Sequence, residues 1–283
     1  MTKRHILAMA LSLSLTCGPT FADDTELTPD DGGSAVIGIE KWAGGDHRSE
    51  ANRTRNQYRH PVETLLFLGL KPDMTVVELW PGGSGWYTEI IAPYVRGQGA
   101  FYAAGFDRET EVEYFKRANK AYAGKLAARP DLYDHVRVTE LAPPEKLDIA
   151  PAGTVDMVVT FRNLHNWMGR GQAEAVLEAA YRALKPGGIL GLVEHRGNAD
   201  TPQDPAAKSG YVNEDYAIKL AEDAGFQLVA KSEINANSKD DADHPAGVWT
   251  LPPSLRLGDE DRAAYQAIGE SDRMTLKFMK PGE

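Results

Sequence analysis

TVVELWPGGSGWYT, residues Thr75 to Thr88, compresses an apolar run, a carboxylate, a glycine-rich turn and the start of a helix into one short stretch. Thr75, Val76 and Val77 read as a strand that ends at Glu78. Gly82, Gly83 and Gly85 form the turn, and Trp86 to Val95 is predicted as a helix. A strand with an acidic end, a glycine turn and a helix start is the build of a nucleotide-cofactor cradle. Glycine lets the backbone approach a ligand where a Cβ would clash. The first turn of the helix presents unpaired N–H groups to it. An ordinary strand-to-helix connection uses the same residues without a ligand, so the turn alone does not decide function.

Strands and helices alternate downstream. Ala100 to Phe106 reads as a second strand ending at Asp107, and Glu109 to Ala128 as a helix with Tyr114, Ala118, Tyr122 and Leu126 on one face. A third strand begins at Val136 and ends near Glu140. Val155 to Phe161 is almost wholly apolar, as expected for a strand buried on both faces. Ala173 to Leu184 is a helix closed by the turn Lys185-Pro186-Gly187-Gly188. Ile189 to Val193 is a fifth strand running into Glu194-His195-Arg196. Glu214 to Ala224 is a helix, Phe226 to Ile234 a sixth strand and Met274 to Met279 a last one. This rhythm predicts an α/β fold, a doubly wound sheet with helices on both faces. Residues 236–270 break it with a stretch rich in Asp and Pro, read either as a cap over a pocket or as a surface excursion. Upstream, residues 53–68 are predicted helical with a restart at Pro61, and Asp23 to Gly45 reads as a loose lead-in.

The N-terminus has the pattern of an export signal. Lys3, Arg4 and His5 precede an apolar core from Ile6 to Leu15 that is too short for a permanent membrane span. Thr20-Phe21-Ala22 places cleavage after Ala22, so residues 1–22 are expected to leave and the mature protein to be periplasmic. Cys17 invites a lipoprotein reading, but Ser14-Leu15-Thr16 is a poor lipobox. Cys17 is the only cysteine. Without it the chain has no disulfide, thiolate metal site or cysteine nucleophile. The chain carries 31 basic and 41 acidic residues, a net charge of −10, which becomes −12 when Lys3 and Arg4 are removed. That balance argues against nucleic acid as a partner. No other stretch is long and apolar enough to span a membrane. Residues 23–70 are read as an extension and residues 71–283 as the main domain.

From about Pro72 to Pro281 the chain resembles the class I S-adenosylmethionine-dependent methyltransferases. The likeness rests on the Glu78 to Gly85 turn, Asp107 at the end of the second strand, Leu184-Lys185-Pro186-Gly187-Gly188 before the fifth, and Gly225-Phe226 opening the sixth. Tyr58-Arg59-His60-Pro61 and the run from Trp86 to Tyr94 are similar to a group of exported predicted methyltransferases. The resemblance implies a Rossmann-like seven-stranded sheet whose last strand is antiparallel, with S-adenosyl-L-methionine as cofactor. It implies Asp107 on the ribose, Glu78 beneath the turn toward the cofactor's amino group, and Glu140 beside the adenine. The sequence departs from the family where Trp80 takes the place of the first glycine and Ser84 that of the third.

A sulfonium favours aromatic faces, and Trp80, Trp86, Tyr87, Phe161 and Trp167 all lie near strand ends, where α/β sheets place ligands. Methyl transfer needs alignment of nucleophile, methyl and sulfur, with a base when the nucleophile must lose a proton. His165 and His195 follow the fourth and fifth strands and are the candidate bases. Arg162 or Arg196 is the candidate substrate anchor, and His60 could cover the site. No close-spaced metal motif such as H-E-x-x-H occurs, and no metal is expected. The reading is methyl transfer to oxygen or nitrogen of a small molecule. A non-catalytic ligand-binding protein on the same fold is the alternative. A dinucleotide oxidoreductase ranks last, because Gly83-x-Gly85-x-x-Thr88 lacks that fingerprint's third glycine.

Overall fold

The computed structural model describes residues 1 and 31–282. The expected export signal beyond its first residue, with its cut after residue 22, lies outside the described residues. Contacts divide the chain between Asp31 and Gly32, and the sheet belongs to the unit from Gly32 onward.

Its strands are β1 (Thr75–Leu79), β2 (Ala100–Gly105), β3 (Arg137–Glu140), β4 (Val155–Phe161), β5 (Leu184–His195), β6 (Gln227–Ser232) and β7 (Arg273–Met279). They form one sheet in the order β3-β2-β1-β4-β5-β7-β6. The first five strands pair in parallel, and β7 runs antiparallel between β5 and β6. The seven-stranded sheet with its antiparallel last strand is the one expected from the sequence. Helices carry the crossovers from β1 to β2, β2 to β3 and β4 to β5, whereas β3 leads to β4 through a loop.

Alternation along the strands splits the core between the two faces. Val77 and Leu79 of β1 join Val158, Leu190 and Leu192 in one cluster. Helices α9 (Ala173–Ala183) and α10 (Glu214–Asp223) cover it with Val176, Leu177, Ala217 and Ala221. Val76, Met157 and Val159 point to the other face. There they meet Ile39 of α1 (Asp31–Ala43), Leu65 and Leu68 of α4 (Pro61–Leu68), and Ile90 and Ile91 of α5 (Thr88–Val95). A buried Leu or Ile contributes about 1.5–3 kcal/mol, so the segment from Ile39 to Leu70 is held to the sheet by its own core. The remaining helices are α2 (Glu50–Thr54), α3 (Asn56–Arg59), α6 (Glu113–Ala128), α7 (Pro130–Tyr133), α8 (Leu164–Met168) and α11 (Arg262–Ile268).

Several local expectations change. Asp31 to Ala43 is helical rather than a loose lead-in, because Ile39 and Ala43 are buried. α5 starts at Thr88, not Trp86, and α6 at Glu113, not Glu109. In the second case side chains capture the backbone first: Asp107 Oδ1 accepts from Glu109 N–H and Thr110 Oγ1 from Val112 N–H. Lys185 to Gly188 lies inside β5. Leu184 pairs with Val155 and Ile189 with Met157, so these four residues bulge from the ladder, tied by Gly187 N–H to Lys280 O. The restart at Pro61 is present, with His60 between the helices at φ +36°.

Candidate active site

The carboxyl ends of β1, β4 and β5 open into a cavity of about 560 Å³. The glycine turn from Pro81 to Ser84 forms one wall, with Arg55 and Arg59 of the N-terminal helices beside it. Trp249 and Pro252 to Ser254, from the 236–270 insertion, also line it, with the Trp249 ring 5.9 Å from that of His165. The insertion therefore does face a pocket. Asn163 braces the floor by donating to Leu79 O at 3.0 Å, which ties the end of β4 to the end of β1.

His165, His195 and Arg162, predicted from two different strand ends, all line this cavity. The His165 and His195 rings stand 5.4 Å apart. Glu194, fully buried, joins them. Its oxygens accept from His165 N–H at 3.2 Å and His195 N–H at 2.8 Å, and His165 Nδ1 lies 3.0 Å from Oε1. A carboxylate accepts, so Nδ1 carries the proton and Nε2 is left as the acceptor. Asn166 Nδ2 is 3.0 Å from that Nε2. His195 Nδ1 contacts the Ser271 hydroxyl at 2.5 Å. Burial first, then His165 and the nearby arginines, hold His195 well below its ordinary value, so its ring is neutral. His165, Glu194 and His195 each offer one possible ligand atom to a metal, all within 4.8 Å. Both Glu194 oxygens already take N–H groups, which marks Glu194 as a positioning carboxylate.

Arginines dominate one end. Glu270 accepts from Arg55 Nε at 2.5 Å, from Arg59 Nε at 3.2 Å and from Arg273 Nη2. These guanidinium groups hold its carboxyl well below the usual range despite burial. Arg162 sits at φ +61°, a conformation rare outside glycine, with its N–H donating to Val193 O at 2.7 Å. Burial and Arg273 lower its guanidinium to about 10.

Glu78 lines the cavity beneath the turn and accepts from Thr88 Oγ1 at 2.6 Å. Burial, opposed by that bond and by Arg162, raises it to about 7. The glycines divide in role. Gly82, at φ +66°, faces open space, whereas a Cβ on Gly83 would lie 3.2 Å from Ala118 Cα, and one on Gly85 2.8 Å from the Tyr122 ring. Gly83 and Gly85 let α6 close on the turn, and Gly82 and Gly83 line the cavity while Gly85 does not.

Asp107 and Glu140, expected on the ribose and adenine, lie off this cavity. Lys146 Nζ sits between them, 2.6 Å from Asp107 and 2.7 Å from Glu140. Two carboxylates at neighbouring strand ends repel each other, and the lysine neutralises them. Trp80 stands at φ +47°, 8 % exposed, and donates from Nε1 to Leu141 O at 2.9 Å. Its indole packs against Phe106 at 4.8 Å and Trp167 at 5.3 Å. It thereby fills space between the ends of β1, β2 and β4. Trp167 lies fully buried behind it and does not reach the cavity, unlike Trp86, Tyr87 and Phe161. Tyr87 stacks on Phe161 at 3.4 Å. Arg196 is engaged by Asp272, Glu233 and Glu214, away from the cavity, and His60 is not among its lining residues.

Sequence reasoning missed Glu270, Arg55 and Arg273 as site residues. Arg59 lay in a run that carried only the family resemblance, and Glu194 stood beside His195 without an assigned role. No spacing links positions 55, 162, 194 and 270. The sheet alone brings them together.

No protein-family model matches the sequence, and no curated protein matches it either. Solved structures do match in fold. A SAM-dependent methyltransferase from Aquifex aeolicus has a TM-score of 0.55 at 17 % identity, over 87 % of this chain and 98 % of that one. Geranyl diphosphate C-methyltransferase from Streptomyces coelicolor, solved with magnesium, geranyl diphosphate and S-adenosyl-L-homocysteine, has 0.51 at 13 %, over 84 % and 87 %. The [4+2]-cyclase SpnF has 0.54 at 14 %, over 88 % and 93 %. At these identities the likeness is one of fold: this chain has the seven-stranded methyltransferase fold.

Proposed function

We propose that this chain transfers a methyl group from S-adenosyl-L-methionine to an oxygen or nitrogen of a small molecule, in the periplasm. The observation that carries the reading is the carboxylate-oriented His165 in a cavity that runs along the glycine turn of a methyltransferase fold. Periplasmic location rests on the basic start, short apolar core and Thr20-Phe21-Ala22 of the sequence.

The lining fits the cofactor at its two ends. Glu78 at the base of the turn suits an ammonium group, and exposed Tyr114, beside the stacked pair Phe106 and Phe115, offers a face for an adenine. The middle fits less well, because Asp107 is held by Lys146. When bound, adenosylmethionine supplies an electrophilic methyl on a sulfonium. The chain's own residues do the rest. Glu194 fixes the His165 ring and places the proton on Nδ1, so Nε2 can take a proton from the acceptor once it gives up the Asn166 amide that it accepts from. Such a base is worth roughly 10²–10⁴-fold. The stacked pair Tyr87 and Phe161 leaves each ring one outer face for a cation, whereas Trp86 already carries Arg48 and Arg59 over its ring. Trp249 and Pro252 close the cavity from the insertion side and limit water.

The Asp107–Lys146 contact and the Trp80 indole also favour a second reading, a ligand-binding protein without catalysis on the same fold. Titration calorimetry with adenosylmethionine, adenosylhomocysteine and NAD separates them. Adenosylhomocysteine is expected to bind with a Kd on the order of micromolar, and NAD not at all. A well-folded protein that binds neither adenosyl compound would support the second reading. Binding restored by Trp80→Gly would identify the indole as the obstruction.

A further inference from the structure

We propose that Arg55, Arg162 and Arg273 form a binding site for an oxyanion, a carboxylate or phosphate-type group carried by the small-molecule acceptor. The assignment to the acceptor rests on the methyl-transfer reading, but the anion site itself does not.

The charge at this end of the cavity is unbalanced. Four guanidinium groups, those of Arg55, Arg59, Arg162 and Arg273, are served by one ion-pairing carboxylate, Glu270. Two other carboxylates line or border the cavity, and both are engaged elsewhere: Glu78 by Thr88, Glu194 by the two histidine N–H groups and His165 Nδ1. Glu270 already accepts from three of them, and its single negative charge does not balance four cations. Among the described residues, the Arg162 side chain has no hydrogen-bond or ion-pair partner, although it lines the cavity. Arg55 Nη2 and Arg273 Nε are buried and likewise unpartnered. Arg273 is 2 % exposed, so bulk water does not replace the missing acceptor.

A buried donor without a partner costs about 1–3 kcal/mol, more when charged. Arg55 and Arg273, from the α2–α3 junction and the start of β7, each leave one buried donor short, and Arg162 at the end of β4 adds a half-buried, unpaired cation beside the same cavity. An acceptor with two or three oxygens would satisfy them together, because the guanidinium fork matches carboxylate and phosphate geometry. Burial lowers the Arg162 guanidinium, and Arg273 adds more than Glu270 offsets, as for a cation short of counter-charge. The site adjoins the histidines: Ser271, next to Glu270, contacts His195 at 2.5 Å. An acceptor anchored by its anion would therefore present a neighbouring hydroxyl or amine to His165.

The test is titration calorimetry of the folded protein with inorganic phosphate and, separately, acetate, at low and constant ionic strength. Saturable binding of at least one is expected, with a Kd on the order of millimolar. Arg162→Met should weaken it by about tenfold or more, with unchanged circular dichroism, since that side chain bonds to no protein group. Arg55→Met should act in the same direction, and Arg162→Lys should restore part of the affinity. The preferred probe distinguishes a phosphate-type from a carboxylate group. No saturable binding of either anion, or affinity unchanged in Arg162→Met, would overturn the proposal. Displacement of the anion by adenosylhomocysteine would overturn it too, by assigning the arginines to the cofactor's own carboxylate. Anion binding without adenosylhomocysteine binding would sink the methyl-transfer reading and leave the anion site standing.

Discussion

Glu78→Gln should stabilise the protein, and by more at alkaline than at acidic pH. Glu78 is 3 % exposed and sits in an apolar strand, where burial raises its carboxyl from 4.5 to about 7. The fold therefore holds this proton more tightly than the unfolded chain does. Stability from that proton is fully present below about pH 4.5 and is lost as pH rises through about 7. A shift of this size corresponds to about 3 kcal/mol. Glutamine keeps the shape and still accepts from Thr88 Oγ1, but it never ionises. The variant should gain about 3 kcal/mol over the wild type at pH 8 and about 1 kcal/mol at pH 5. Urea unfolding at both pH values measures this through the midpoint at unchanged m. The pH dependence is the informative quantity, because packing differences between the two side chains cancel from it. An equal effect at pH 5 and pH 8 would refute the argument that burial governs this carboxyl.

The same group bears on function: a cationic amino group lying against Glu78 needs the ionised form, so adenosylhomocysteine affinity should rise with pH through about 7, and in Glu78→Gln it should not. His165→Asn cannot take a proton and should lower turnover by about 10²–10⁴-fold with adenosylhomocysteine affinity unchanged. A larger loss in His195→Asn, measured with the same acceptor, would move the base to the end of β5. Asp107→Ala should leave adenosylhomocysteine affinity unchanged, since Lys146 already holds that carboxylate. A drop of about tenfold or more in calorimetry would show that Asp107 turns to the ligand when it binds. Gly85→Ala places a Cβ 2.8 Å from the Tyr122 ring at φ +52°, and thermal unfolding should register a loss of about 1–3 kcal/mol.

The alternation of apolar strands with helical periods was enough to predict the α/β sheet, and β4 was legible to its residue limits. That comes from physics that acts locally. A strand buried on both faces must be continuously apolar, and a glycine turn with positive φ must fall where a side chain cannot. His165, His195 and Arg162 could be named for a related reason, because residues just past parallel strands are carried to the ligand-bearing edge of the sheet. Helix starts were less legible, since Asp107 and Thr110 take backbone groups that propensity assigns to the helix. What Asp107 and Glu140 do could not be read from their own strand ends. It depends on Lys146, which arrives from the loop after β3, and on the low cost of pairing charges over leaving two carboxylates face to face. The same holds for the cluster of Arg55, Arg59, Arg162 and Arg273 around Glu270. Each is an ordinary charged residue in the sequence, and most arginines stay at the surface. Only the closure of the N-terminal helices and β7 onto the end of β4 turns them into one cationic wall, with Arg59 and Arg273 buried and Arg55 and Arg162 half-buried. Charge that is solvated in the chain becomes informative once tertiary packing removes the water around it.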